Sequence, residues 1–190
     1  MALGIGIIIG VIILFVIIAV IGYVVSIYNG LVRLKNNIQK SWANIDVMLK
    51  QRAEELPKLI ASVKGYMKHE KGLLTELTKA RTAFLSAKTM SAKAKADASI
   101  SGALKTLFAV AENYPNLKAN ENFLQLQGRI SGLENELADR REFYNDSVNN
   151  YNIRIQTFPD MVFAKRLGFT TPEPLFKATE AERKDVKVEF

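Results

Sequence analysis

The chain has 190 residues, with 26 Lys+Arg against 19 Asp+Glu, one His and no Cys. Without cysteine there are no disulfides, thiolate nucleophiles, iron–sulfur clusters or Cys-ligated zinc, and one histidine cannot build a His-rich metal site. The 48% hydrophobic content is unevenly spread, because no charged side chain precedes Arg33.

Ala2 to Ile27 form one uncharged run of 26 positions. As a helix this run reaches ~39 Å, and crossing a bilayer takes only ~20 apolar residues. A cleaved secretory signal fits poorly, since the run is too long and no basic region leads it. Residues 1–28 are therefore expected to be a single transmembrane anchor. Arg33, Lys35 and Lys40 follow the run closely and nothing basic precedes it. The positive-inside rule then places the N-terminus outside and the remainder in the cytoplasm. The same three residues are the candidate lipid-facing basic positions. Gly6 and Gly10, then Gly22 and Ser26, show the four-residue spacing that lets two membrane helices approach closely. They are the candidate span-packing positions.

From Leu31 to Phe84 apolar residues recur at steps of three and four, with charges between them, which predicts an amphipathic helix. The pattern continues past Pro57, Gly65 and Gly72, so one long helix is expected over about 31–88, bent near Pro57. Residues 89–98 carry small and polar side chains and read as the turn-back. A helix over about 97–114 follows, closed by Pro115. Asn120, a good N-cap type, opens another over about 120–158. Phe123, Ile130, Leu137, Tyr144, Tyr151 and Phe158 are spaced by seven along it, the mark of a helix–helix seam. A short helix over about 160–167 is expected to stop at Gly168 in the left-handed conformation. Residues 169–190 read as an extended or mobile tail. The expected fold is all-α: one N-terminal transmembrane helix continuing into a long-helix antiparallel bundle over 29–168.

Three blocks carry a resemblance. They are YNGLVRLKNNIQKSWANIDVMLKQRAEELPKLIASVKGYMKHE (Tyr28–Glu70), LFAVAENYPNLKANENFLQLQ (Leu107–Gln127) and RREFYNDSVNNYNIRIQTFP (Arg140–Pro159). With the leading span they make the chain similar to the LemA family of bacterial membrane proteins. Departures are small, such as Ser41 where that family usually has Ala. The resemblance implies a membrane-anchored helical bundle without catalytic residues to carry over. Some members are associated with shaping internal bacterial membranes, and others are encoded near membrane proteases.

Known chemical motifs fail. His69-Glu70 lacks the second histidine of a zinc helix, because Leu73 stands in its place. Phosphate loops and nucleophile elbows are absent. No cofactor, metal, small-molecule substrate or catalytic activity is expected. Residues 28–118 carry a net charge of +9 and residues 119–190 carry −2. No stacking aromatics accompany the basic half, so anionic lipid fits it better than nucleic acid. Thirteen Asn in helical surroundings are unusual, and Asn44, Asn122 and Asn152 beside core positions are candidates for fixing register. The expected function is a self-associating structural protein of the bacterial cytoplasmic membrane, a homo-oligomer that organises or remodels that membrane. The alternative is a tethered adaptor for a membrane protease or stress-response partner, with Phe163, Phe169, Leu175 and Phe176 in the tail as candidate docking residues, of which Phe163 and Phe169 are expected instead to pack back on the bundle.

Overall fold

A computed structural model describes residues 2–176 of the chain. Six helices follow one another: α1 (Ala2–Lys64), α2 (Lys71–Ser86), α3 (Met90–Ala111), α4 (Pro115–Lys118), α5 (Glu121–Gln156) and α6 (Asp160–Arg166). No strand occurs among the described residues. The fold is all-α, with the apolar leader running directly into the first bundle helix. Ile and Val dominate that leader. They are mediocre helix formers in water, but in lipid a helix is the way a single segment satisfies its own backbone.

The chain divides into two compact units. Among the described residues, the first comprises residues 2–42 together with Phe143–Leu175, and the second comprises Ala43–Glu142 and Phe176. In the first unit, Ile27, Leu31 and Ile38 of α1 are buried with Tyr144, Val148, Tyr151 and Ile155 of α5 and Ala164 of α6. Ser41 is buried too, and its hydroxyl donates back to the Asn37 carbonyl at 2.7 Å. That bond removes the cost of a hydroxyl among apolar neighbours.

The second unit is an antiparallel bundle of four segments, namely the end of α1, α2, α3 and the start of α5. Leu49, Leu56, Val63, Leu77, Phe84, Ile100, Leu107, Phe123 and Ile130 lie in its core. Helix α1 passes through Pro57 without a break. A proline has no N–H to offer the carbonyl four residues back, here that of Ala53. Arg81 of α2 fills the vacancy, donating through Nε to the Ala53 carbonyl at 2.9 Å.

The helix expected over 31–88 is in fact two. Helix α1 ends at Lys64, residues 65–70 turn, and α2 returns along α1. Periodicity concealed this turn because Met67, within it, is fully buried and so continues the apolar spacing. The turn-back expected at 89–98 is shorter and earlier. Thr89 caps α3 by accepting from the Ala92 N–H at 3.2 Å, and residues 90–98 are already helical. Alanine-rich, unstriped sequence is good helix material even where it lacks a wide apolar face. Lys93, inside the stretch expected to turn back, is part of α3 and pairs with Asp46.

Asn120 does cap α5, its Oδ1 accepting from the Phe123 N–H at 3.0 Å. Gly168 has φ +85°, and the Phe169 N–H reaches the Ala164 carbonyl at 2.9 Å, a Schellman stop to α6. Residues 172–176 have no regular structure. The rest of the expected tail, 177–190, lies outside the described residues.

Candidate functional site

The leader is an exposed surface as far as Gly22. Side chains from Leu3 to Val25 are almost all exposed, and a Cβ added at Gly6, Gly10 or Gly22 would meet nothing within 4 Å. Ser26 is exposed as well. Ile27, by contrast, is buried, so protein packing takes over from an apolar solvent at that point.

Just beyond the leader, α6 and the segment after it lie along α1. Tyr23 meets Phe163 edge-on with ring centroids 6.1 Å apart, and its hydroxyl donates to Asp160 at 3.4 Å. Tyr28 meets Phe169 at 6.0 Å. Arg154 of α5 joins this corner by donating through Nε to Asp160 at 2.8 Å. Its guanidinium occupies the space over Gly30, where an added Cβ would stand 2.4 Å from Nη1. Gly30 is thus the cradle that lets the arginine cross α1, a role no local pattern announces. Asn152 holds the following strand-like segment. Its amide donates to the Glu173 carbonyl and accepts from the Glu173 N–H, both at 2.9 Å. Asn152 thereby fixes a backbone, whereas Asn44 and Asn122 are exposed and have no seam to register.

Of the predicted seam, Phe123, Ile130 and Leu137 are buried in the second unit and Tyr144 and Tyr151 in the first. Phe158 is not: it lies past the end of α5 and is 77% exposed. The other five are consumed inside their own units, so the seam is not a surface for assembly. Arg33, Lys35 and Lys40 are exposed on α1. Of the proposed docking residues, Phe163 and Phe169 pack back on α1, and Phe176 lies under the Arg141 guanidinium at 4.7 Å. Leu175 stays exposed.

Tyr144 donates to the Pro174 carbonyl at 3.0 Å and faces Trp42 at 6.2 Å. Burial first, and the Glu173 carboxylate second, raise the phenols of Tyr144 and Tyr151 above their ordinary range. A raised folded-state value means the native chain keeps protons that the unfolded chain releases above pH ~10. Their contribution is complete below that pH and is lost as pH rises through the raised values. Thermal melts followed by circular dichroism should hold steady to pH ~10 and then fall, and Tyr151→Phe should shrink that fall.

Two features of the second unit escaped sequence reasoning. Arg52 is 1% exposed and donates to Asp97 at 2.9 Å, to Ser101 at 3.0 Å and to Glu134 at 3.3 Å. Asp97, also 1% exposed, binds Arg141 as well. A groove of about 980 Å³ also runs between the end of α1 and α2. Ile60, Met67 and Leu74 line it, with Lys64, Lys68, Lys71, Lys79 and His69 around them. Among the described residues no group of His, Asp and Glu gathers as a metal site.

The family model described as "LemA family" matches residues 41–190. The chain belongs to the LemA family. It is 33% identical over 162 residues to Protein LemA of Metamycoplasma hominis, covering 83% of this chain and 72% of that protein. Magnetosome protein MamQ 2 of Paramagnetospirillum magneticum is 33% identical over 78 residues. Magnetosome protein MamQ of Magnetospirillum gryphiswaldense is 30% identical over a stretch of the same length. Each of these two matches covers 41% of this chain and only 29% of the magnetosome protein. LemA membership and the exposed apolar leader together make this a membrane-associated helical protein with an N-terminal anchor.

Proposed function

We propose that this LemA-family chain is a self-associating structural protein that organises or remodels the bacterial cytoplasmic membrane, with its N-terminus outside and its bundles in the cytoplasm. One observation supports the reading: the glycine positions of the span are open, and among the described residues its most apolar stretch is covered by nothing. On a regular helix Gly6 and Gly22 point about 160° apart. Neighbours seated on each face would extend an assembly, whereas a single face would close it as a dimer. The role is mechanical and non-catalytic.

Mass measurement of the full-length protein in mild detergent tests this. Oligomers larger than dimers are expected, and Gly6→Ile with Gly10→Ile should cap them at dimers. Adding Gly22→Ile should leave single chains. A wild-type protein that stays monomeric at every concentration and leaves liposome shape unchanged overturns the proposal.

The lysine-rimmed groove favours a second reading, a tethered adaptor, because four ammonium groups over an apolar floor suit an acidic amphipathic helix. Under that reading Lys68→Glu with Lys79→Glu abolishes partner co-purification and leaves the mass in detergent unchanged.

A further inference from the structure

Helix α6 has two faces. Phe163, Ala164 and Leu167 turn inward to differing degrees, with Ala164 buried, while Met161, Val162, Lys165 and Arg166 are exposed. Residues four apart share a helix face, so Met161 stands below Lys165 and Val162 below Arg166. The exposed face is therefore apolar at its start and basic one turn, about 5.4 Å, later. Phe158 lies next to the apolar end, at the turn before α6, and is the most exposed aromatic of the first unit outside the leader.

The direction of this helix is fixed by its contacts. Asp160 and Phe163 meet Tyr23, and Phe169 meets Tyr28. The segment thus runs away from the leader, with its apolar end nearest to it. A 30 Å hydrocarbon layer starting at Leu3 takes about twenty helical residues and ends near Gly22. Tyr23 is then the first residue beyond the hydrocarbon, where a tyrosine's ring and hydroxyl suit the interface. Met161 (41% exposed) and Val162 (46%) sit at that height. Along the same axis Arg33 is ~16 Å and Lys40 ~27 Å past Gly22. Screening over ~8 Å leaves Lys40 too distant to act on lipid headgroups.

We propose that α6 and its preceding turn form a second lipid contact beside the span. Phe158, Met161 and Val162 enter the boundary between headgroups and acyl chains, and Lys165 and Arg166 meet the anionic phosphates. Burial in lipid removes from water three apolar side chains that the protein leaves uncovered. The Arg154–Asp160 pair tethers this plate to α5 and, through Tyr23, to the span. The bundle end is thereby seated on the bilayer at two points, which restricts its tilt about the span. This inference rests on the leader crossing the membrane and is independent of self-association.

The natural absence of cysteine makes the test direct. Single variants Leu14→Cys, Lys40→Cys, Met161→Cys and Val162→Cys of the full-length protein are labelled with a nitroxide. They are reconstituted in vesicles of phosphatidylcholine with one-quarter phosphatidylglycerol, and collision rates with oxygen and with a water-soluble nickel chelate are compared. Labels at 161 and 162 should lie ~5–10 Å below the headgroup surface, with about tenfold fewer nickel collisions than the Lys40→Cys label. If they match Lys40→Cys while Leu14→Cys is protected, the second contact is wrong and the span stands. A Leu14→Cys label open to the chelate removes the span and this contact together.

Discussion

Asp97→Ala should cost the folded chain about 3–5 kcal/mol, the range for stripping one partner from a buried ion pair. Asp97 accepts from both Arg52 and Arg141, and Arg52 is itself almost wholly shielded from water. Truncation leaves Arg52 with Ser101 and the half-exposed Glu134, and those two contacts replace little of the lost charge. Urea unfolding of the detergent-solubilised protein should show a lower midpoint with an unchanged slope, since the surface exposed on unfolding barely alters. Replacing Arg52, Asp97 and Arg141 together by Met, Leu and Met should be milder than Asp97→Ala alone, because no charge is then left unpaired in the interior. A loss below about 1 kcal/mol for Asp97→Ala would place these charges in effective contact with water.

The same cluster marks the limit of what residue order reveals. Helical period, the apolar leader, the Asn120 cap and the Gly168 stop are local properties, set by neighbours within a few positions, and the structure reproduces them. Arg52 and Asp97 are 45 positions apart, and Arg52 and Glu134 are 82 apart. In sequence each looks like one more charge on a solvated face. Gly30 and Arg154 meet for the same kind of reason, through packing that brings α5 across α1. The turn at 65–70 was hidden in a different way. Two glycines hinted at it, but Met67 kept the apolar rhythm, and rhythm reports burial before it reports helix. Exposure at Met161 and Val162 was likewise invisible, because a short apolar stretch reads as core unless its surroundings are known.

Phe123 and Phe158 put this distinction to a quantitative test, since both belong to one seven-residue series. Phe123 is buried edge-on to Phe108 with ring centroids 6.4 Å apart, and Phe123→Ala should destabilise by about 3–5 kcal/mol, as cavity-forming aromatic truncations do. Phe158→Ala should stay within about 0.5 kcal/mol in the same denaturation measurement, because the side chain already faces solvent. Equal losses at the two positions would mean that the bundle extends its seam to Phe158 and covers it with protein. Unequal losses leave a large aromatic with no stabilising work inside the fold, two residues before the Asp160 that meets Tyr23. A ring of that kind gains from burial only if its cover comes from outside the chain.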